Sequence, residues 1–493
     1  MKIPNNKFRI LNSEQGLPAT APARHASQSE AGGRRALQAG QMIITVVIFA
    51  LIAMVAISSL VGYIMLQVRA QRQAVGQVMG LNIAEAAIET AVWKLNNQPG
   101  YDGEIGISYA GGVYNVTISS LSGSSKLIRA DVYVPNALNP QARRSVQVQA
   151  TIGITTIGFN YGVQVGNGGL EMSNSAKIIG NVYSNSNIVG TNSARIQGTA
   201  IAAGTSRIDG MDVDNNAQAR TIRGSSNITG NATVSALQSS TVTGNVVADS
   251  ISSCTIGGTA IYDTRSSCSV GGATTTPNPN PYPQASVLPL PISEAQIATW
   301  ENEAAAGGAV GNQIFSSGTR NLGPKKINGD LILSNTAELV VTGTLWVTGE
   351  VRLSNSAILR LSSGFGSQSG AVVAGINEDS SAGYIEISNS AQVLGSGTTG
   401  SYILMLSQRE GVGSTAIKQD NNPGTPILHA ILYAGEGMIE IANSAAMKEI
   451  TAEKLKISNS ATVTYESGLA DANFSSGPSG GWEVLDGTWQ LLQ

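Results

Sequence analysis

The stretch Ile385-Glu386-Ile387-Ser388-Asn389-Ser390-Ala391-Gln392-Val393 decides the fold. Apolar side chains take every second position (Ile385, Ile387, Val393), and Asn389 and Ala391 share their parity. Such alternation reads as a strand with one buried face. The pattern recurs as MSNSAKI (172–178), LSNTAEL (333–339), LSNSAIL (353–359), IANSAAM (441–447) and ISNSATV (457–463). Asn335 and Asn355 are 20 residues apart, Asn355 and Asn389 34, Asn389 and Asn443 54, and Asn443 and Asn459 16. The longer gaps lie near two and three times roughly 17–18, which predicts one coil of a β-solenoid per unit. Each coil exposes backbone edges that only its neighbours can satisfy, so the coils must stack.

The recurring amides are Asn174, Asn335, Asn355, Asn389, Asn443 and Asn459. An uninterrupted strand would point each into the core, where an unpaired amide costs ~1–3 kcal/mol. A bend through the left-handed region avoids that cost, and so does a ladder in which each amide bonds the next. Both make the six residues a structural corner. The functional rival is a surface row of amides that binds sugar.

Working outward, a looser marker fills residues 192–272: NSARIQG, TSRIDG, SSNITG, SSTVTG, SSCTIGG and SSCSVGG. Cys254 and Cys268 hold matching positions in the last two. Stacked coils sit ~4.8 Å apart, within reach of the ~4.4–6.8 Å Cα separation of a disulfide. The segment PNPNPYPQASVLPLP (277–291) is a Pro-rich break. Residues 292–306 read as a helix with Ser293 as N-cap and Gln296 at the capping-box position. The solenoid is expected to resume near Ile327 and run to about Tyr465. The end, GGWEVLDGTWQLLQ (480–493), reads as a terminal strand pair or a cap over the last coil.

Toward the N-terminus stands QMIITVVIFALIAMVAISSLVGYIML (41–66), without a charged residue. Its length suits a helix crossing the ~30 Å hydrocarbon core. Residues 1–40 carry Lys2, Lys7, Arg9, Arg24, Arg34 and Arg35 against Glu14 and Glu30. The positive-inside rule keeps such a segment cytoplasmic and exports the chain beyond Leu66. From Gln67 to Asn96 no proline occurs, and Val75, Met79, Ile83, Ala87, Ala91 and Leu95 recur four apart. That spacing predicts an amphipathic continuation, one helix of about 55 residues that stops at NNQPGYDG (96–103). The alternating runs 113–118, 127–134 and 145–152, split by turn residues at 122–125 and 136–141, predict an antiparallel meander packed on the helix stripe.

Composition narrows the function classes. Charged residues are 12% of the chain and the net charge is −3, with no basic stripe, which argues against a nucleic-acid surface. Asp209, Asp212 and Asp214 form one acidic cluster, read as a solvated turn because it lacks the downstream Glu of a calcium loop. The histidines, His25 and His429, give no Ser-His-Asp or metal set, and His429 reads as a core residue. Neither a cofactor nor a metal is expected.

Several of these features together resemble bacterial type IV minor pilins and pseudopilins of the PilX type. They are the basic leader, Gly40, the apolar helix, AEAAIETAVWKLN (84–96), Tyr114-Val116-Ile118 and Arg144-Val146-Val148. The resemblance covers about residues 34–152. It implies cleavage by a prepilin peptidase between Gly40 and Gln41, and pilus or pseudopilus subunits as partners. In that family's major pilins Glu occupies the fifth mature position, here Thr45, which cannot neutralise a neighbour's N-terminal amine. The repeat region resembles right-handed parallel β-helices and bactofilin-like polymers.

The sequence thus predicts a mainly β protein with a long N-terminal helix, transmembrane then amphipathic, a small antiparallel sheet and a parallel β-solenoid. The expected segments are a leader (1–40), a membrane helix (41–66), a pilin-like helix and sheet (67–158), a first solenoid part (159–276), the break and helix (277–306), and a second solenoid part with a C-terminal cap (307–493). The expected role is a single-pass, surface-exposed, structural or adhesive protein without catalysis, with the bilayer and surface glycans as further partners. The alternative is a polysaccharide-active enzyme on the same scaffold. If the two cysteines pair, peptide mapping without reductant should recover 254 and 268 as one cross-linked species, with neither open to alkylation.

Overall fold

The computed structural model describes residues 38–98, 101–122, 125–377, 379–421, 429–477 and 481–492; residues 1–37 of the expected leader 1–40 lie outside them. The chain divides into two compact units, Met1–Arg72 and Gln73–Gln493. Helix α1 spans Gln38–Asn97. In the first unit its apolar side chains from Val46 to Val68 are exposed.

In the second unit the rest of α1 packs on an antiparallel sheet of β1 (Gly103–Tyr109), β2 (Gly112–Ser122), β3 (Ser125–Val134) and β4 (Ala142–Ile152), paired in that order. Ile83, Ala84, Ala87, Ile88, Ala91 and Leu95 are buried against Val116, Ile128, Ala130, Val132, Val146 and Val148. The expected stripe needs correction at its start, where Val75 is 67% exposed. Residues four apart advance ~400° on a helix with 3.6 residues per turn, so a strict four-residue stripe rotates off the packed face. The face begins instead with Gly76 and Gly80, which let the sheet approach: an added Cβ at Gly80 would lie 3.2 Å from Arg144 Cγ, and one at Gly76 3.1 Å from Ala142 Cβ.

The free edge of β4 is filled from the far end of the chain. Trp482–Val484 and Gln490–Leu492 pair antiparallel with it. The C-terminus is therefore no cap on the last coil. Trp482 is buried in the helix–sheet core, and Asn96 at the end of α1 grips its backbone, accepting from N–H at 2.7 Å and donating to C=O at 2.9 Å. The helix–sheet module is discontinuous, completed only by residues 481–492.

Everything between is inserted. Strand β5 (Ile154–Ile157) pairs antiparallel with Ala472–Ser475, so the insert begins and ends side by side. The solenoid has three parallel faces per coil. Taking β6 (Val163–Met172) as the first coil, its two halves are followed by Val182–Ser184 and Ile188–Gly190, while Lys177–Ile179 on the third face is followed by Arg195–Gln197. Successive coils to Thr274–Thr275 stack away from β6 on one side. The second part begins with Ala309–Val310, earlier than Ile327, at the opposite end of the stack. It winds back until Glu449–Ile457 pairs with the other edge of β6. The two parts make one continuous solenoid whose winding starts and finishes in the middle.

The Pro-rich segment makes this possible. It runs back along the coils, with Asn278 bonded at Asp263 and Ala248, Tyr282 at Asp249, Pro283 at Gln218, Ala285 at Gly204, Leu288 at Asn185, Pro289 at Gln164, and Ile292 at Tyr433. Helix α2 (Glu294–Ala306) comes next, capped by Ser293 Oγ, which accepts from the Gln296 N–H at 3.3 Å. The Gln296 amide nitrogen is buried without a hydrogen-bond partner.

The repeat length also needs correction. Ala232, Val246 and Ala260 stack at 14-residue steps, whereas Val351 stacks directly on Ile385, 34 residues on. That gap is one coil with an insertion, not two coils, since only the strands must match and corners can loop out. The loops feed a second core outside the solenoid, where Ile297 and Trp300 of α2 meet Ala371, Val373, Leu404, Leu406, Ile431, Phe159 and Phe474. Strands such as Gly370–Ala374 and Ile403–Ser407 are buried on both sides and so read as unbroken apolar runs.

Glu449 lies wholly buried on this side, with Oε1 accepting from Thr451 at 2.7 Å and Oε2 unpartnered; burial pushes its carboxyl well above the ordinary 4.5. The folded state then holds a proton that the unfolded chain releases. The resulting stability is complete below pH ~4.5 and is lost as pH rises toward the folded value. Thermal unfolding should show the parent losing stability with rising pH relative to Glu449→Gln, and parallel pH profiles would contradict this.

Candidate functional site

The corner between the second and third faces is built by the SNSA motif. Asn174, Asn335, Asn355, Asn389, Asn443 and Asn459 all sit in the left-handed region, with φ between 53° and 59°. That turn breaks strand parity: each Asn is exposed, while the Ala two residues on (176, 337, 357, 391, 445, 461) is buried. The amides also stack. Asn355 Nδ2 donates to Asn335 Oδ1 at 3.0 Å, and Asn389 to Asn355 at 3.1 Å. A second run has Asn443 donating to Asp420, Asn459 to Asn443 at 3.1 Å, Asn174 to Asn459 at 2.9 Å, and Asn192 to Asn174 at 2.9 Å. Bend and ladder operate together. In the 14-residue coils Ser225, Ser239, Ser253 and Ser267 take the left-handed position. Cys254 and Cys268 occupy the buried small-residue column beside it and are joined by a disulfide with Cα atoms 4.4 Å apart.

A second ladder lies outside the sequence expectations. Asn216, Asn231 and Asn245 each accept, through Oδ1, the backbone N–H of the matching residue one coil on, at 2.9 Å. Its signal in the sequence is Gly230-Asn231 and Gly244-Asn245, 14 residues apart.

The acidic cluster is not gathered around a common point. Asp209 is held by Arg207 at 3.1 Å and Arg223 at 2.9 Å, and Asp214 by Arg195 at 2.7 Å. Among the described residues no group of His, Cys, Asp and Glu is placed to hold a metal ion. His429 is exposed rather than in the core, and it lines a cleft. This cleft of about 540 Å³ is also lined by Arg360, the 395–401 loop, Tyr402 and Glu466. Burial pushes Glu466 up, but hydrogen bonds from Lys448 and from Tyr402 Oη at 2.6 Å outweigh it and hold the carboxyl below its ordinary value. Glycoside cleavage by acid and base needs two carboxyl groups across the bond. The described lining supplies one, and it is already paired.

The second face carries a different array. Its outward residues Arg352, Glu386, Lys418, Glu440, Lys456 and Glu171 stand on successive coils in direct register, all but Lys418 three positions before a corner Asn. The sign of charge alternates at every step. Within the column Arg352 meets Glu386 at 2.9 Å and Lys456 meets Glu440 at 3.8 Å; from outside it Lys454 meets Glu171 at 2.9 Å and Asp420 meets Lys418 at 3.7 Å. Parallel stacking forces like positions together ~4.8 Å apart, so alternation replaces repulsion by weak attraction along the column. Beside the column small residues, Ser173 and Ser458 among them, leave a trough of about 490 Å³.

Gly40 and Gln41 fall in the first turns of α1. Val46–Asn96 contains a segment long and apolar enough to cross a membrane, none of it buried inside the structure.

Neither a protein-family model nor a curated protein matches the sequence. Among solved structures, that of the competence-associated pilin ComZ from Thermus thermophilus is similar over 85% of this chain and 98% of that one, at 11% identity and a TM-score of 0.26.

The corner reading makes Asn389→Ala and Asn459→Ala structural lesions, each losing a ladder bond and placing Ala in the left-handed region. Each should lower stability by about 1 kcal/mol or more. Unchanged thermal unfolding together with lost binding of a glycan would assign the amides to recognition instead.

Proposed function

We propose that this chain is a pilin-like, membrane-anchored structural or adhesive protein that displays its solenoid outside the cytoplasm. The observation that carries the reading is α1 itself. One uninterrupted helix has an exposed, uncharged apolar segment and, further on, a stripe sealed by an antiparallel sheet. An exposed apolar surface of that size is stable only in lipid or against another apolar surface. The Arg and Lys residues of the leader orient its N-terminus toward the cytoplasm. The solenoid acts in this reading as a displayed, rigid module without catalytic chemistry. Stacked coils with side-chain ladders and a disulfide suit a part that must persist outside the cell.

A second reading, a surface enzyme acting on polysaccharide, draws on the cleft at Glu466. Turnover of acidic polysaccharides by the full chain, abolished in Glu466→Gln, would favour it.

The anchor reading is tested by the mature N-terminus. Protein extracted from membranes of a host with an active prepilin peptidase should begin at Gln41, with a mass lower by residues 1–40. A full-length chain in those membranes would leave a plain signal anchor, and recovery in the soluble fraction would overturn membrane anchoring altogether.

A further inference from the structure

We propose that the trough beside the alternating charge column is a binding site for a neutral, extended glycan, laid along the solenoid axis with about one sugar ring per coil. The inference rests on the display reading above, whose adhesive ligand it assigns by class.

The trough crosses five consecutive coils, a length of roughly 19 Å at ~4.8 Å per coil. Its strands, Gly411–Asn421, Ala430–Ala442, Glu449–Ile457 and β6, are each bonded to neighbours along both edges. No free backbone edge is offered, so an extended peptide cannot bind here by adding a strand. The floor mixes the hydroxyl residues Ser173, Ser458 and Thr191 with the apolar Val189 and Ala442.

The wall has a repeating chemistry. Lys418, Glu440, Lys456 and Glu171 present donor, acceptor, donor, acceptor at successive coils, and all four remain partly exposed. Their charges cancel, so the trough draws in neither a polyanion nor a polycation. A hydroxyl both donates and accepts, and so is served equally by an ammonium and by a carboxylate. A chain of linked hexoses advances about one coil spacing per ring, so successive rings would meet successive members of the column in register. The Asn ladder next to the trough is a poor rival, because none of its amides lines the trough.

The test uses the full chain in detergent micelles, titrated calorimetrically with the neutral hexasaccharides cellohexaose, chitohexaose and xylohexaose, and with hexagalacturonate as the acidic control. At least one neutral hexamer should bind saturably and more tightly than hexagalacturonate. Lys418→Ala and Lys456→Ala should each weaken that binding about ten-fold, the loss expected when a hydrogen bond to a charged group is removed. Thermal unfolding of both variants is recorded alongside, and Glu171→Gln, which keeps an acceptor and the volume, should weaken binding less than Glu171→Ala. No binding by any neutral hexamer, tighter binding of the acidic one, or equal binding by parent and lysine variants would overturn the assignment. Protease accessibility of the solenoid in intact cells reads the display model separately: a chain that binds but is never exposed sinks only that model.

Discussion

The structure depends on one constraint: a solenoid inserted into a sheet must begin and end at neighbouring points. Insertions are tolerated where their ends are close. A solenoid wound in simple sequence order has its ends at opposite tips of the stack. Here the winding starts at β6, runs to one tip, returns along the coils as a Pro-rich strap, and winds in again from the other tip. The two ends then meet across a single pair of coils, Glu449–Ile457 against β6. Because β5 and Ala472–Ser475 are also paired, the antiparallel sheet closes with Trp482–Val484 as though nothing had been inserted. Proline suits the strap, since a segment that must not join a sheet gains from lacking backbone donors and from a fixed φ.

Once the coils are stacked in parallel, every position becomes a column, and each column must be compatible with itself. Apolar columns pass this test without special provision. Polar columns pass only when neighbouring members bond, which the Asn ladder and the Asn216, Asn231 and Asn245 series both achieve, one through side-chain amides and the other through backbone N–H groups. Charged columns pass when the sign alternates, as from Arg352 to Glu171. Buried small-residue columns accept either Ala or, in the 14-residue coils, a pair of cysteines. One rule therefore explains features that otherwise look unrelated, and it makes the surface of the solenoid a regular lattice. A regular lattice is suited to a regular ligand.

The same rule shows where the molecule departs from pure repetition. Coils between Leu331 and Asn421 carry long corner insertions, and these, with α2 and the segments around Phe159 and Phe474, cover the first face with a second core. The unpartnered carboxyl oxygen of Glu449 and the paired Glu466 lie in that covered half, whereas the opposite half is plain repeat. Polar groups that do not repeat occur where the coils are decorated.

By itself the sequence determined whatever is local or periodic. The apolar run 41–66, the helix stop at 96–103, the three meander strands, the SNSA corner and the matched cysteines are all visible because each depends on neighbours at a fixed offset along the chain. The charge column is legible in part, since Arg352, Glu386, Glu440, Lys456 and Glu171 fall three residues before a corner Asn, whereas Ile332 holds that place before Asn335 and Lys418 precedes no such corner. The tertiary structure alone decided the order in which the coils stack, the return of the C-terminus to β4, and the place of His429 in the lining of a cleft. Strand pairing carries no information about which end of a stack a coil joins, because any parallel edge can satisfy any other. Only the requirement that residues 154 and 475 meet, imposed by the sheet outside the solenoid, selects the winding that is found.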